Sequence, residues 1–286
     1  MDNLQRATYP ALTRMPETAS YEFHDADLMD PAALHRALEG VDVVIHLAAL
    51  VRTPFSFDHP SWTQHVNHWG TARLVEECLQ AGVQRLVYVS SASVYGPGGP
   101  FDEDAICQPI GPYSEAKLAG EDSVMGARDR MRVTVLRMGM VYGQAPAVRY
   151  DGVPNRFVFQ AATGSPITVF GDGEQMRPVV HVADAAAAVA LAAFYDRAGG
   201  QRLNVVAENV SVGRMAAAVQ KLRPFVRVIA TEQDLRTHIS LRIDGSRLRA
   251  LGWEPRVGLE AGLQEMLDEL GPFAPHVPMY DPGLEE

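Results

Sequence analysis

Cysteine is scarce in this chain. Only Cys78 and Cys107 occur among 286 residues. Two thiols cannot build a disulfide framework, and their scarcity fits a reducing compartment, so a cytoplasmic protein is expected. A surplus of positive charge is missing too: 25 Lys and Arg stand against 35 Asp and Glu, a net charge of −10. That balance argues against nucleic acid held by bulk electrostatics, while leaving room for a local basic pocket around a phosphate. No apolar run reaches the ~18 residues of a membrane-spanning helix; the longest, around 183–194, contains Asp184 near its start. The first residues, including Asp2, Asn3, Gln5 and Arg6, are polar and give no signal peptide. His24, His59, His65 and His68 show no metal-ligand spacing with Cys or acids, so no metal is expected. What remains is ordinary globular material, 47% apolar and 21% charged.

Short β-branched runs alternate with helical patterns. Residues 41–47 (VDVVIHL) read as a buried strand, 68–79 as a helix stopped by Gly82, 85–90 (RLVYVS) as a second strand, 113–124 as a helix and 133–138 (VTVLRM) as a third strand. This β-α-β-α-β order predicts an α/β fold: a doubly wound parallel sheet with helices on both faces. After about Gly143 the loops lengthen and carry Pro146, Pro154, Pro166 and Pro178. Shorter strand-like pieces follow at 167–170, 179–182, 203–206 and 226–229, with an Ala-rich helix at 184–195. The expected organisation is a Rossmann-like half over 1–145 and a smaller α/β half over 146–286, some elements of which return to the first. The proline-bearing tail, 272–286, reads as a surface extension.

The candidate chemistry lies at Tyr113-Ser114-Glu115-Ala116-Lys117, preceded by the serines of Ser90-Ser91-Ala92-Ser93 at a strand end. Tyr and Lys at i and i+4 share one helix face. A free phenol titrates near 10, whereas a proton-transfer group works best near 7. Closing that gap requires ~4 kcal/mol of preferential stabilisation of the phenolate. A neighbouring ammonium, or a positively charged cofactor ring, would provide part of it. A serine hydroxyl from the strand end can bond the same substrate oxygen, and strand carboxyl ends are where open α/β sheets place ligands. A Tyr-x-x-x-Lys pair alone is an ordinary helix face; its surroundings make it a candidate. His46, in mid-strand, reads as a packed or hydrogen-bonded histidine.

Those surroundings resemble one family throughout. The stretches DADLMD (25–30), VDVVIHLAA (41–49), NHWGT (67–71), LVYVSSASVYG (86–96), PYSEAK (112–117), LRMGMVYG (136–143), ITVFGDGEQMRPVVHVAD (167–184) and LGWEP (251–255) run in the order found in extended short-chain dehydrogenase/reductases of the nucleotide-sugar epimerase/dehydratase branch. The resemblance implies that Ser91, Tyr113 and Lys117 are catalytic. It implies that Asp2, Asp27, Leu28, Leu47, Ala48, Ala49 and Asn67 line or steady a dinucleotide together with Tyr113 and Lys117. Ser91, Tyr113, Met140 and Arg177 would meet substrate, Arg177 by gripping a nucleotide-sugar phosphate with a second arginine, Arg236 or Arg242. Met140 stands where many relatives carry an asparagine. Ala92 and Ser93 replace the acidic pair that 4,6-dehydration would need after the serine. A homodimer through the helices carrying 67–79 and 113–124 is also implied.

The family opens with a strand, a Gly-rich turn and a helix whose N–H groups hold the cofactor pyrophosphate. Neither G-x-G-x-x-G nor G-x-x-G-x-x-G occurs in this chain, and Asp2 falls where the family's second strand ends. A truncated start would explain this. So would a sheet rearranged so that residues 21–25 move beside 41–47, a partner chain filling the gap, or loss of the cofactor. Three functions therefore stand open: an NAD(P)-dependent epimerase or oxidoreductase on a nucleotide sugar, with Asp2 favouring NAD over NADP; a cofactor-independent isomerase, lyase or cyclase; and a non-catalytic pseudoenzyme binding a partner.

Overall fold

The computed structural model describes residues 1–4, 9–13, 15–51, 53–232 and 239–271. Arg236 and the 272–286 tail lie outside them. The principal sheet has four parallel strands in the spatial order Val43–His46, Arg85–Ser91, Arg132–Met138 and Gln201–Val205. The two central strands are buried almost continuously, as strands covered on both faces require. Helices Gly70–Ala81 and Pro112–Met125 pack together on one face, and helix Val182–Phe194 packs on the other. The last strand, although drawn from the far half of the chain, belongs to this sheet.

Local sequence sets the ends of these elements. Asp30 caps helix Pro31–Leu38 by accepting from the N–H groups of Ala32 and Ala33, with Pro31 in the first turn. Gly82, at φ 75°, ends helix Gly70–Ala81 in the left-handed conformation. Helix Pro112–Met125 starts after Gly111, whose φ of 86° turns the chain into it. LGWEP ties two parts of the chain together. Trp253 Nε1 donates to the Asp184 carbonyl at 3.0 Å, and the buried Asp184 carboxylate accepts from Arg256 N and Val257 N.

The second layer is built from smaller sheets. Met140–Tyr142, Met176–His181 and Glu208–Ser211 form one; Ile167–Phe170 pairs with Val228–Thr231; Gly98–Phe101 pairs with Leu241–Ile243. Their core includes Phe157, Ile167, Met215, Leu263 and Met266. Four of these strands are absent from the sequence reading: Gly98–Phe101, Met140–Tyr142, Glu208–Ser211 and Leu241–Ile243. GGPF carries turn residues, and the other three are too short for period-2 alternation to register.

The rearranged sheet does not form. Asp25 makes an isolated parallel bridge with Asp2 instead, and among the described residues strand Val43–His46 has only Arg85–Ser91 as a neighbour. Asp2 N donates to His24 O and Ala26 N to Asp2 O, while Asn3 Nδ2 reaches the Asp27 carboxylate at 2.7 Å. Asp2 and Asp27 are thus brought to one place.

Candidate active site

The carboxyl ends of the two central strands open into a cleft of about 730 Å³, floored by Ser90–Ser93 and Met138–Gly143 and walled by the second layer. That size suits a small-molecule site. Tyr113 and Lys117 reach the cleft from the Pro112–Met125 helix, and Ser91 from the end of its strand. All three catalytic candidates therefore share one cavity.

The Ser91 hydroxyl is close enough to the Tyr113 phenol to lower its pKa. Ser91 Oγ also accepts from Ser93 N at 3.2 Å and from Ser93 Oγ at 2.9 Å, and Ser114 Oγ donates to Ser93 Oγ at 2.9 Å. A relay of hydroxyls thus holds Ser91 in place. Removal from water pushes the Tyr113 phenol above its ordinary pKa, while the Ser91 hydroxyl and then the positive charge of Arg149 pull it back.

Lys117 does not supply that pull. Its Nζ donates to the Val89 carbonyl at 2.8 Å and lies 4.7 Å from the centre of the Tyr88 ring. Its side chain is buried. Burial lowers its pKa to about 7, against the opposing influence of Glu121 one turn further on. Glu121 is fully buried and accepts from Ser90 Oγ at 2.6 Å, from Arg137 at 2.8–3.1 Å and from Arg202 Nε at 3.2 Å. Arg137 continues the network through Tyr95 Oη to Asn204. Sequence reading missed Glu121, although its i+4 spacing from Lys117 was available as a signal.

Burial also holds His46 neutral, at about 3; its Nε2 lies 3.0 Å from Thr71 Oγ1 and its ring stacks on Tyr88 at 5.4 Å. Both depressed values predict a pH signature. Between pH 7 and 10.5 the unfolded chain keeps a proton on Lys117 that the folded chain has lost. Stability should therefore rise with pH above 7, by up to about 1.4 kcal/mol per pH unit. Cys78, raised to about 12 by burial, acts in the opposite sense only above its ordinary value of 9. Urea denaturation at pH 7, 8 and 9 should show the rise in the wild type and lose it in Lys117→Met; equal slopes would refute the assignment. On the acid side, His46 should cost stability as pH falls from 6.5 toward 3, and His46→Gln should flatten that limb.

The remaining candidates are placed as follows. Asn67, buried in a π-helical turn, donates to Leu50 O at 2.8 Å and accepts from Leu50 N at 2.7 Å, fixing the chain after strand Val43–His46. Leu47 and Ala49 line the cleft, Leu47 with 63% of its surface exposed; Ala48 is exposed. Leu28 is buried against Gly70. Met140 and Arg177 line the cleft, and burial lowers the Arg177 guanidinium to about 10. Arg242, exposed, donates to Gly99 O at 2.7 Å and is absent from the cleft lining. Arg149, bidentate on Asp151, and Arg156 are cleft residues that sequence reading did not single out. Among the described residues no cluster of His, Cys, Asp or Glu is placed to hold a metal, and no helix is long and apolar enough to cross a membrane.

Residues 2–206 match the model of the NAD dependent epimerase/dehydratase family. The chain is 30% identical over 286 residues to a UDP-glucose 4-epimerase of Mycolicibacterium smegmatis, covering 94% of this chain and 88% of that protein. It is 32% identical over 197 residues to YtcB, described as an uncharacterised UDP-glucose epimerase of Bacillus subtilis, covering 67% of this chain and 61% of YtcB. Among solved structures it is similar to MoeE5 in complex with UDP-glucuronic acid and NAD, at 31% identity and a TM-score of 0.82, covering 89% of this chain and 87% of MoeE5.

Proposed function

The chain belongs to the NAD dependent epimerase/dehydratase family, and from that premise we propose that it is an NAD-dependent epimerase or oxidoreductase of a nucleotide sugar, worked by Ser91, Tyr113 and Lys117. The observation that carries this reading is the convergence of Ser91, Tyr113 and Lys117, from a strand end and one helix face, on a single cleft. Residues 1–145 would hold the cofactor and 146–286 mainly the sugar nucleotide.

The residues present fit the cofactor at two of its parts. Lys117 is a buried cation whose only described hydrogen bond goes to a backbone carbonyl, leaving further donors for a ribose hydroxyl. Leu47, Ala48 and Ala49 offer backbone and apolar surface at a strand end pinned by Asn67. Asp2 and Asp27, brought together through Asn3, would meet the adenosine, with Leu28, buried against Gly70, next in the chain. No Gly-rich motif of this chain is assigned to the pyrophosphate. NAD, when bound, supplies a two-electron acceptor that can return what it takes and, oxidised, a positive ring charge.

Tyr113 removes the proton of a sugar hydroxyl as that carbon is oxidised and returns it on reduction. Ser91 Oγ bonds the same oxygen and keeps it in line with the phenol. Met140 and Arg177 contact the sugar nucleotide from the opposite wall. Ser91→Ala should lower kcat by about 10- to 100-fold, because it removes one hydrogen bond to the reacting oxygen and leaves the phenol intact; steady-state kinetics checks this, and an unchanged kcat would remove Ser91 from the site.

The direct test of the whole reading is incubation of the purified protein with UDP-glucose and NAD. Product is followed by chromatography and bound reduced cofactor by absorbance. Interconversion that requires NAD is expected; turnover by protein shown to be cofactor-free would favour the cofactor-independent alternative. A homodimer through helices Gly70–Ala81 and Pro112–Met125 is part of the proposal, with cytoplasmic residence; light scattering should give twice the 31.2 kDa chain mass.

A further inference from the structure

The serines at the strand end take separate partners. Ser90 Oγ turns to the buried Glu121 carboxylate at 2.6 Å, whereas Ser91, Ser93 and Ser114 all line the cleft. Ser91 caps the short 3₁₀ turn Ala92–Tyr95 by accepting from Ser93 N at 3.2 Å. Its Oγ also receives the Ser93 hydroxyl at 2.9 Å, and Ser93 Oγ in turn receives the Ser114 hydroxyl at 2.9 Å. Ser114 is buried and directly follows Tyr113 in helix Pro112–Met125. The chain of hydroxyls therefore starts beside one member of the trio and ends on another, tying the helix start to the strand end.

A hydroxyl has two acceptor lone pairs and one hydrogen. On Ser91 Oγ the Ser93 N–H occupies one lone pair and the Ser93 O–H the other. What Ser91 has left to offer is its own hydrogen. Hydrogen bonds in a chain polarise one another, so an oxygen that accepts twice is the stronger donor. The cap of the 3₁₀ turn does not need this arrangement, because the Ser93 N–H makes it without the side chain.

We propose that Ser93 is a positioning residue of the reaction: its hydroxyl, backed by that of Ser114, fills the remaining acceptor site of Ser91 and leaves Ser91 a donor to the reacting oxygen. Ser93 acts through Ser91, not on the substrate. Ser91 then cannot share the work of a base, and the proton of the sugar hydroxyl goes to Tyr113 alone. This inference rests on the Ser91, Tyr113 and Lys117 reading of the cleft and adds the residue that sets the polarity of Ser91.

A double-mutant cycle over Ser91→Ala and Ser93→Ala tests it, with Ser93→Thr and Ser114→Ala alongside. Ser93→Ala keeps the backbone cap and should lower kcat by about 2- to 12-fold, the net worth of one hydrogen bond, with KM unchanged. Ser93→Thr should restore the rate, Ser114→Ala should act in the same sense by less, and in the Ser91→Ala background Ser93→Ala should cost nothing further. A second readout needs no turnover: the phenol of Tyr113, titrated by ultraviolet absorbance as the difference between each protein and its Tyr113→Phe counterpart, should move to higher pH in Ser93→Ala and stay in place when Ser91 is already alanine. Thermal melting shows whether each variant is folded, and Ser114→Ala carries the comparison if Ser93→Ala is not. A wild-type kcat with an unmoved titration in Ser93→Ala would overturn the proposal, as would additive losses in the double variant. If the titration behaves as expected but the wild type does not turn over UDP-glucose with NAD, the relay stands and the nucleotide-sugar reading fails. If neither holds, both fall.

Discussion

Tyr113→Phe is expected to lower kcat by about 10² to 10⁴-fold, the range contributed by a positioned acid/base group. KM for the sugar nucleotide should stay close to the wild-type value. On the proposed reading the phenol is the group of the trio that exchanges a proton with substrate, since Lys117 donates to Val89 O and Ser91 is held by the Ser93 hydroxyl and N–H. The loss should therefore fall on the chemical step and leave ground-state binding intact. The substitution removes one oxygen that lines a cleft and, among the described residues, takes no part in the hydrogen bonds of the fold, so stability should change little. The pH profile adds a sharper expectation. Because burial raises the phenol's pKa in the protein alone, the phenolate becomes more populated as pH rises, and kcat/KM should climb from neutral pH into the alkaline range before levelling. Stopped-flow absorbance of reduced cofactor, with steady-state kinetics from about pH 6 to 10, checks both points. A flat profile, or a Tyr113→Phe enzyme within a few-fold of wild type, would assign the proton transfer elsewhere.

The direction of that shift separates what could be read in the sequence from what could not. Helical spacing put Tyr113 and Lys117 on one face, and the strand-end serines put a hydroxyl near them. In the fold all three line one cavity. From the sequence, the ammonium is expected to pull the phenol's pKa down. In the structure, Lys117 turns under the strand to Val89 O, and the cation that influences Tyr113 is Arg149, from a loop 36 positions further along the chain. No local pattern carries such a contact; it exists only because the second layer closes over the sheet. Arg156 is of the same kind, brought to the cleft by a helix of the second layer. The sheet follows the same division. Strands with continuous β-branched runs were visible, whereas Gly98–Phe101 owes its place to pairing with Leu241–Ile243, about 140 residues away.

Glu121→Ala should be the most destabilising single change near the site, by about 3–5 kcal/mol, the range for removing one partner of a buried ion pair. The carboxylate is fully buried and receives the Arg137 guanidinium on both oxygens, with Arg202 and Ser90 completing its shell. Without it, Arg137, itself 3% exposed, keeps a charge with no counter-ion, bonded only to Tyr95 Oη and Glu103 O. The same change withdraws the negative charge that supports the protonated form of Lys117, so the onset of the alkaline rise in stability should move below pH 7. The double variant Glu121→Leu, Arg137→Met should recover most of the lost stability, because the cost lies in the uncompensated charge more than in the missing attraction. Urea denaturation of the two single variants and the double variant closes the cycle. A double variant as unstable as the sum of the two singles would mean that the pair does not act as a unit. Recovered stability combined with a depressed kcat would show that Glu121 sets the position of Ser90 and the charge state of Lys117 in addition to balancing Arg137: the ion pair under the strand end then serves the reaction as well as the fold.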